Sequence, residues 1–366
     1  MTSVLFECHH LYYLPHFTPI IHVLKQRGGY SVSASIPKTV AVREQLLFAE
    51  AVAKLDVELF TAGDEATRVD LLAAQKFDVV VAGNIGKLEE IVADHSVAVM
   101  VYHGIGVKMS YYRDMSARVD IRAVECEQRF RELQNRGETS IVLTGLTKLD
   151  PLADGSVGAS EKILEECGFS PELPTILYAP TFYPSSLEKL LPEIPGLTQD
   201  MNIIIKLHNF SWHQKRYRFQ SEEAMRVTER DENIYLVPPD GFDILPYYAA
   251  AEILISDISS TLFEYLALDR PIIQTMFSSP RLRHRFFPWR LSSRIDEART
   301  AEIDFTHRLA EPENLEVTLR IVLNNPGVMS KVRQRAAEEF LYKLDGRASH
   351  RLVDAVETKL TERNRL

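Results

Sequence analysis

The sequence predicts an α/β chain of two doubly wound, Rossmann-like domains facing each other across a cleft, and three observations predict it. Short runs rich in Val and Ile alternate with helical patterns along all 366 residues. Several runs, Val79-Val-Val-Ala82 among them, are apolar without a break, as strands of a parallel sheet covered on both faces must be. The alternation runs through twice, and at roughly 100–200 residues per domain the length suits two domains.

In the first half, strands are expected at 4–8, 30–35, 57–60, 78–82, 97–102 and 141–144, with helices at 39–55, 65–75 and 123–136. In the second half, strands are expected at 175–178, 202–207, 233–237, 253–256 and 271–276, followed by helices to the end. The stretch LDPLADGSVGAS (149–160) clusters Pro, Gly, Asp and Ser, which marks the boundary and divides the chain into 1–150 and 151–366. A last helix is expected at 331–360, and the sequence leaves open whether it packs back on the first domain. No repeat of about 20–50 residues is present, which excludes a solenoid.

Composition narrows the function classes. Lys and Arg total 42 against 51 Asp and Glu, a net charge of −9, so no global basic field exists for nucleic acid. A local basic surface is compatible with that average. The three cysteines, Cys8, Cys126 and Cys167, are odd in number and widely spaced, giving neither a disulfide framework nor a CxxC metal motif. No apolar run reaches the length of about 18 residues needed to span a bilayer, and MTSVLFECHH lacks the pattern of a signal peptide. The expectation is a cytoplasmic protein.

In open α/β sheets ligands bind beyond the carboxyl ends of the strands, so the turns there carry the candidates. The run at 97–108 ends an apolar strand at Tyr102 and places His103 in a turn with Gly104 and Gly106, ahead of Lys108. An imidazole there has the pKa range to take a proton near neutral pH; an ordinary strand-end histidine is the plainer alternative. The run Asn202-Ile-Ile-Ile-Lys-Leu-His208 delivers a second histidine, with Lys206 two residues earlier on the same side of the strand by its period of two. Together they suit an anion, although His213, Lys215, Arg216 and Arg218 nearby also fit a basic surface cluster.

The third turn, ISDISSTLFE, ends a strand at Asp257 and offers the hydroxyls of Ser259, Ser260 and Thr261 at a helix start, where backbone N–H groups attract phosphate. Thr261 and Glu264 have capping-box spacing, and Ser260 is an alternative cap. Asp257, being negative, suits orienting a histidine or the turn better than phosphate contact. Thr181 closes the strand-end turn Tyr178-Ala-Pro-Thr-Phe182. The Cys8-His9-His10 run places neighbours on opposite faces of a strand, so no metal site is assigned. From Arg281 to Arg294, RLRHRFFPWRLSSR interleaves arginines with aromatics, a composition for contact with anionic headgroups or a phosphate-rich acceptor, or for a surface loop of Arg–carboxylate pairs.

YHGIGVK, ILYAPTF, IIIKLH, ILISDISSTLFEYLALDRPII and DGRASHRLVDAV resemble, in the same order, motifs of the CDP-glycerol glycerophosphotransferase family, which includes teichoic-acid primases and polymerases. The resemblance covers roughly residues 97–356 and implies a GT-B fold, with the acceptor toward 1–150 and the donor nucleotide in 151–366. It implies that His103 and His208 are catalytic, the second against the donor's phosphates. It places Ser259 and Ser260, with Thr261, at the donor's diphosphate, joined by Asp345 and Gly346 of the late DG motif; Thr181 and Lys206 are expected beside them, an ordinary strand-end turn being the plainer alternative for Thr181. Gly104 and Lys108 are expected on the acceptor side or as part of the turn itself.

Family members commonly read HGTPLK where this chain has His103-Gly-Ile-Gly-Val-Lys108, and APTWR where it has Ala179-Pro-Thr-Phe-Tyr183. Their GxPRxD appears as Gly145-Leu-Thr-Lys148-Leu-Asp150, and Lys does not reproduce the bidentate phosphate contact of Arg. The expected activity is transfer of a polyol phosphate from a CDP-activated donor to an acceptor hydroxyl with release of CMP, in the making of a cell-surface polymer such as a teichoic acid or capsule. The donor is then substrate, and no cofactor is expected. The acceptor would be lipid-linked or a polysaccharide, with peripheral contact to the inner face of the membrane through the 281–294 loop. A GT-B glycosyltransferase using a nucleotide sugar is the alternative enzyme, and a non-enzymatic nucleotide-binding module the alternative of another class.

Overall fold

A computed structural model of the chain describes residues 1–105, 115–197, 199–229, 231–280 and 297–363. They form two compact units. Of the described residues, the first takes 1–104, 115–154 and 339–363, and the second takes Ile105 and those from 155 to 338. The division therefore falls at Asp154, inside the Pro/Gly/Asp/Ser stretch, and residues 339–363 group with the N-terminal unit instead of the 151–366 half.

The first unit holds a seven-stranded sheet: β1 (Thr2–Glu7), β2 (Tyr30–Ser35), β3 (Glu58–Phe60), β4 (Val79–Ala82), β5 (Val97–Val101), β6 (Ile121–Val124) and β7 (Ile141–Leu143). Its order is β3-β2-β1-β4-β5-β6-β7, parallel throughout. Every residue of β4 and β5 is buried, which is why those strands read as unbroken apolar runs. Leu5, Val80, Ala98 and Met100 share one core cluster.

Helix Leu14–Arg27 follows β1 and was hidden in the sequence by its prolines. Pro15 sits in the first turn, where its missing N–H costs nothing, and Pro19 lies inside the helix. Strand β6 was also unexpected, because Arg122 interrupts its pattern; the guanidinium is fully buried and donates to the Tyr102 hydroxyl at 2.8 Å. The helix expected at 123–136 begins only at Glu127.

The helix expected over 331–360 is two helices, Ser330–Phe340 and Ala348–Arg363. Positive φ at Lys343 (47°) and Gly346 (69°) turns the chain between them. A Cβ on Gly346 would stand 2.9 Å from Asp154 Cβ, so glycine is needed for space as well as for conformation. The C-terminal helix buries Leu352, Val353 and Val356. Its Asp354 and Glu357 pair with Arg27 at 2.6 and 2.8 Å, and its Arg363 pairs with Asp120 at 2.6 Å.

The second unit holds β8 (Thr175–Ala179), β9 (Asn202–Ile205), β10 (Ile234–Leu236), β11 (Ile253–Ser256), β12 (Ile272–Thr275) and β13 (His307–Leu309). Their order is β10-β9-β8-β11-β12-β13, again parallel. Ile176, Ile203, Ile253, Ile255 and Ile273 form its core. In both sheets the chain first winds outward from a central strand and then restarts on its other side, between β1 and β4 and between β8 and β11. That reversal is the switch point where open α/β sheets hold ligands.

Candidate functional site

In the second unit, four neighbouring strand ends carry the candidates: Thr181 after β8, Lys206 and His208 after β9, Asp257–Thr261 after β11 and Thr275 at the end of β12. Strand β9 closes at Ile205, so Lys206 and His208 lie beyond it and the two-residue period does not align them. His208 has extended backbone and caps the short helix Asn209–His213, its Nδ1 accepting from the Phe210 N–H at 3.1 Å. A neutral imidazole that accepts at Nδ1 carries its proton on Nε2, so the ring is set as a donor there.

Aromatic rings hold that imidazole. Phe182 lies 4.6 Å from it and Phe210 5.0 Å, centroid to centroid, and Phe182 also meets Tyr217 at 5.1 Å. Gln220 donates to the Phe182 carbonyl at 3.0 Å and accepts from Ser211 at 2.7 Å, tying the same turns together. None of these aromatics stood out in the sequence, because they come from separate turns.

After β11, Ser259 caps helix Ser260–Glu264, its hydroxyl oxygen facing the Thr261 N–H at 3.4 Å. The capping box expected from Thr261 and Glu264 does not form, and Ser260 is not the cap. Glu264 is buried and accepts from the Tyr248 hydroxyl at 3.1 Å, while Thr261 Oγ1 shares a hydrogen bond with Ser256 Oγ at 2.8 Å. Ser259, Ser260 and Thr261 stay half-buried. Asp257 beneath them is buried; its Oδ2 accepts from the Thr181 N–H at 2.9 Å, and its Oδ1 from the Thr275 hydroxyl at 2.6 Å. Burial pushes this carboxyl up to about 6 against those hydrogen bonds.

His103 and Gly104 lie in the first unit, just past β5. The His103 ring packs on Tyr13 at 4.6 Å and Tyr12 at 5.2 Å, and Gly104 takes φ 83°, a conformation that favours glycine. Tyr13 meets three strand ends: its ring lies 5.9 Å from that of His9 after β1, and its hydroxyl accepts from Asn84 after β4 at 3.1 Å. Burial, with the charges of Lys148 and His103, drives His16 well below the usual histidine range. The tyrosine pair and His16 follow the end of β1, a position that the sequence reading passed over. Lys108 and the 281–294 loop lie outside the described residues.

Asp345 and Gly346, grouped with the donor site from the sequence, fall in the first unit and are engaged in folding contacts. Asp345 accepts from the Arg347 N–H at 3.1 Å and pairs with Arg351 at 2.9 Å. Asp150 accepts from the N–H groups of Ala348 and Ser349 at 2.8 and 2.7 Å, capping the C-terminal helix. The Gly145–Asp150 motif and the late DG motif therefore clasp each other.

A family model for CDP-glycerol:poly(glycerophosphate) glycerophosphotransferase matches residues 124–358, more than half of the chain. No curated protein matches the chain in sequence. Among solved structures, a variant of the wall teichoic acid polymerase TagF aligns over 100% of this chain and 90% of its own, with TM-score 0.71 and 15% identity. The UDP-GlcNAc 2-epimerase from Neisseria meningitidis, bound to UDP-GlcNAc, aligns over 98% of this chain and 100% of its own, with TM-score 0.65 and 13% identity. At these identities the likeness is one of fold, the GT-B type with two parallel-sheet α/β domains.

Proposed function

This chain belongs to the CDP-glycerol:poly(glycerophosphate) glycerophosphotransferase family, and from that premise we propose how its residues carry the reaction. It is a transferase that moves glycerol phosphate from CDP-glycerol to a polymer acceptor in cell-wall polymer synthesis. In the proposed step an acceptor hydroxyl oxygen attacks the phosphorus distal to the cytidine. The bond from that phosphorus to the bridging oxygen breaks, its electron pair leaves with CMP, and the hydroxyl proton passes to the His103 imidazole as general base. Such transfers depend on positioning and charge neutralisation more than on covalent catalysis.

His208 donates from Nε2 to the phosphate oxygens of the departing CMP. The half-buried hydroxyls of Ser259 and Ser260, with Thr181 and the Lys206 ammonium, hold the diphosphate, and the Thr261 hydroxyl, which donates to Ser256, steadies their turn. What carries this reading is His208 itself: its Nδ1 is occupied by the Phe210 N–H, which leaves Nε2 as the donor. The donor enters as substrate and the step calls for no cofactor. Asp345 and Gly346, which the resemblance puts at the donor's diphosphate, also carry the folding contacts of the clasp.

The test is CMP release from CDP-glycerol by His208→Asn and His103→Ala. Asn is a good helix cap, so His208→Asn retains the fold while losing the ring. Each variant is expected to lose turnover by about 10²–10⁴-fold with melting temperature held. Turnover near that of wild type in a folded His103→Ala protein removes His103 as the base.

The acceptor is proposed to be lipid-linked, with the protein in the cytoplasm and the arginine- and aromatic-rich 281–294 segment on the membrane. Among the described residues no helix is long and apolar enough to cross a membrane. Flotation with anionic liposomes is expected to carry the protein at low salt and release it at high salt; no flotation at low salt contradicts the contact.

A further inference from the structure

We propose that Asp257 is the positioning residue of the donor site, a buried carboxylate that ties the turns after β8 and β12 to the turn after β11 and so fixes where the phosphate-holding groups stand. The inference rests on the donor assignment above and adds a residue to which that assignment gives no role.

The observation is one of connectivity. Asp257 follows β11 directly, and β8 and β12 are the two neighbours of β11. Its carboxylate reaches both. Oδ2 accepts from the Thr181 N–H at 2.9 Å, and Oδ1 accepts from Ser186 N–H at 3.2 Å and from the Thr275 hydroxyl at 2.6 Å. The β8–β11 junction is the switch point of this sheet, so the tie spans the place where a ligand is expected. Ser256 adds a parallel tie, donating to the Ala179 carbonyl at 2.6 Å.

The chemistry explains why a carboxylate is present. The Thr181 and Ser186 N–H groups and the hydroxyls of Thr275 and Ser186 converge on Asp257, and only a carboxylate offers two oxygens that both accept. An asparagine has one such oxygen, and its NH2 would meet the Thr181 N–H or the Thr275 and Ser186 donors with another donor. Among the described residues no cation pairs with Asp257, which is 5% exposed. A buried carboxylate without a counter-ion is costly, and a purely space-filling role would not require one. The groups it holds are those assigned to the donor. Thr181 takes its backbone position from Oδ2, the adjoining Phe182 ring lies against His208, and Ser259 and Ser260 follow Asp257 within three residues.

The titratable groups around Asp257 are few. Tyr178 on β8 is driven far up by burial and by the Asp257 charge, and Glu188, which adds to that effect on Tyr178, is itself raised by burial. Of these carboxyls, Asp257 is raised to about 6, and Glu188 is also raised from the ordinary carboxylate range, chiefly by burial.

The test is calorimetric binding of CDP by the whole chain, as wild type, Asp257→Asn and Thr275→Val, alongside CMP release from CDP-glycerol and thermal melting. Asp257→Asn is expected to weaken CDP binding by about tenfold or more and to raise the donor KM correspondingly, with kcat changed far less. Thr275→Val removes one tie and keeps the shape, so it is expected to give a smaller shift in the same direction. The advantage of wild type over Asp257→Asn in CDP affinity shrinks as pH drops through about 6, because protonation removes an acceptor oxygen from the wild type alone. A merely structural residue would lower melting temperature without this split or this profile. Weakened CDP binding in Asp257→Asn, in a wild type that binds CDP but releases no CMP, supports the tie and contradicts the transfer reading. Wild-type CDP affinity in both variants overturns the tie, whether or not CMP is released.

Discussion

His208 shows how a single hydrogen bond assigns a role. Because its Nδ1 accepts from Phe210 N–H, replacing it removes a helix cap as well as a donor. His208→Ala is therefore expected to lose about 1 kcal/mol of stability in urea unfolding, whereas His208→Asn loses little, and both lose turnover. Equal stability losses in the two variants would mean that the ring's packing against Phe182 outweighs its cap.

His9 makes a different prediction. Both of its ring nitrogens are buried without a hydrogen-bond partner among the described residues, and burial lowers its pKa to about 4. Its folded-state pKa lies below the unfolded value of 6.5, so the unfolded chain binds the extra proton between them. Stability contributed by neutral His9 is therefore present near neutrality and lost as pH falls through that window, up to roughly 3 kcal/mol. The urea midpoint of wild type should fall relative to His9→Gln as pH drops; a constant difference contradicts the burial argument.

Elements whose physics is local were legible from sequence. Strands such as β4 and β5 are buried on both faces and cannot hide. What escaped is set by distant contacts. Strand β6 carries a buried arginine whose partner, Tyr102, lies on another segment, and the helix after β1 tolerates prolines because one falls in its first turn. The contacts of the late DG motif with Asp150, Asp154 and Arg351 were likewise hidden, because they join segments about 200 residues apart or depend on the turn before the last helix. Asp150→Ala leaves the Ala348 and Ser349 N–H groups without their acceptor and should cost about 2 kcal/mol in urea unfolding. A change below about 0.5 kcal/mol would mean that the clasp is incidental.

At the scale of the molecule, strand ends, glycine turns and apolar periods singled out His103, His208 and the Ser259–Thr261 turn as candidates, and each follows the carboxyl end of a parallel strand. The rings around His208 and the ties of Asp257 were not visible, because each joins turns far apart in the chain: Phe182 with Phe210, Thr181 with Asp257, Thr275 with Asp257. The net charge of −9 is a global average and leaves room for an enzyme of anionic substrates, whose contacts are local. The account stands or falls on the group transferred. The most direct measurement is mass analysis of the acceptor after incubation with CDP-glycerol and, in parallel, CDP-ribitol and a UDP-sugar. The predicted result is acceptor heavier by glycerol phosphate units with matching CMP release; acceptor extended from the UDP-sugar and unchanged with CDP-glycerol would contradict it.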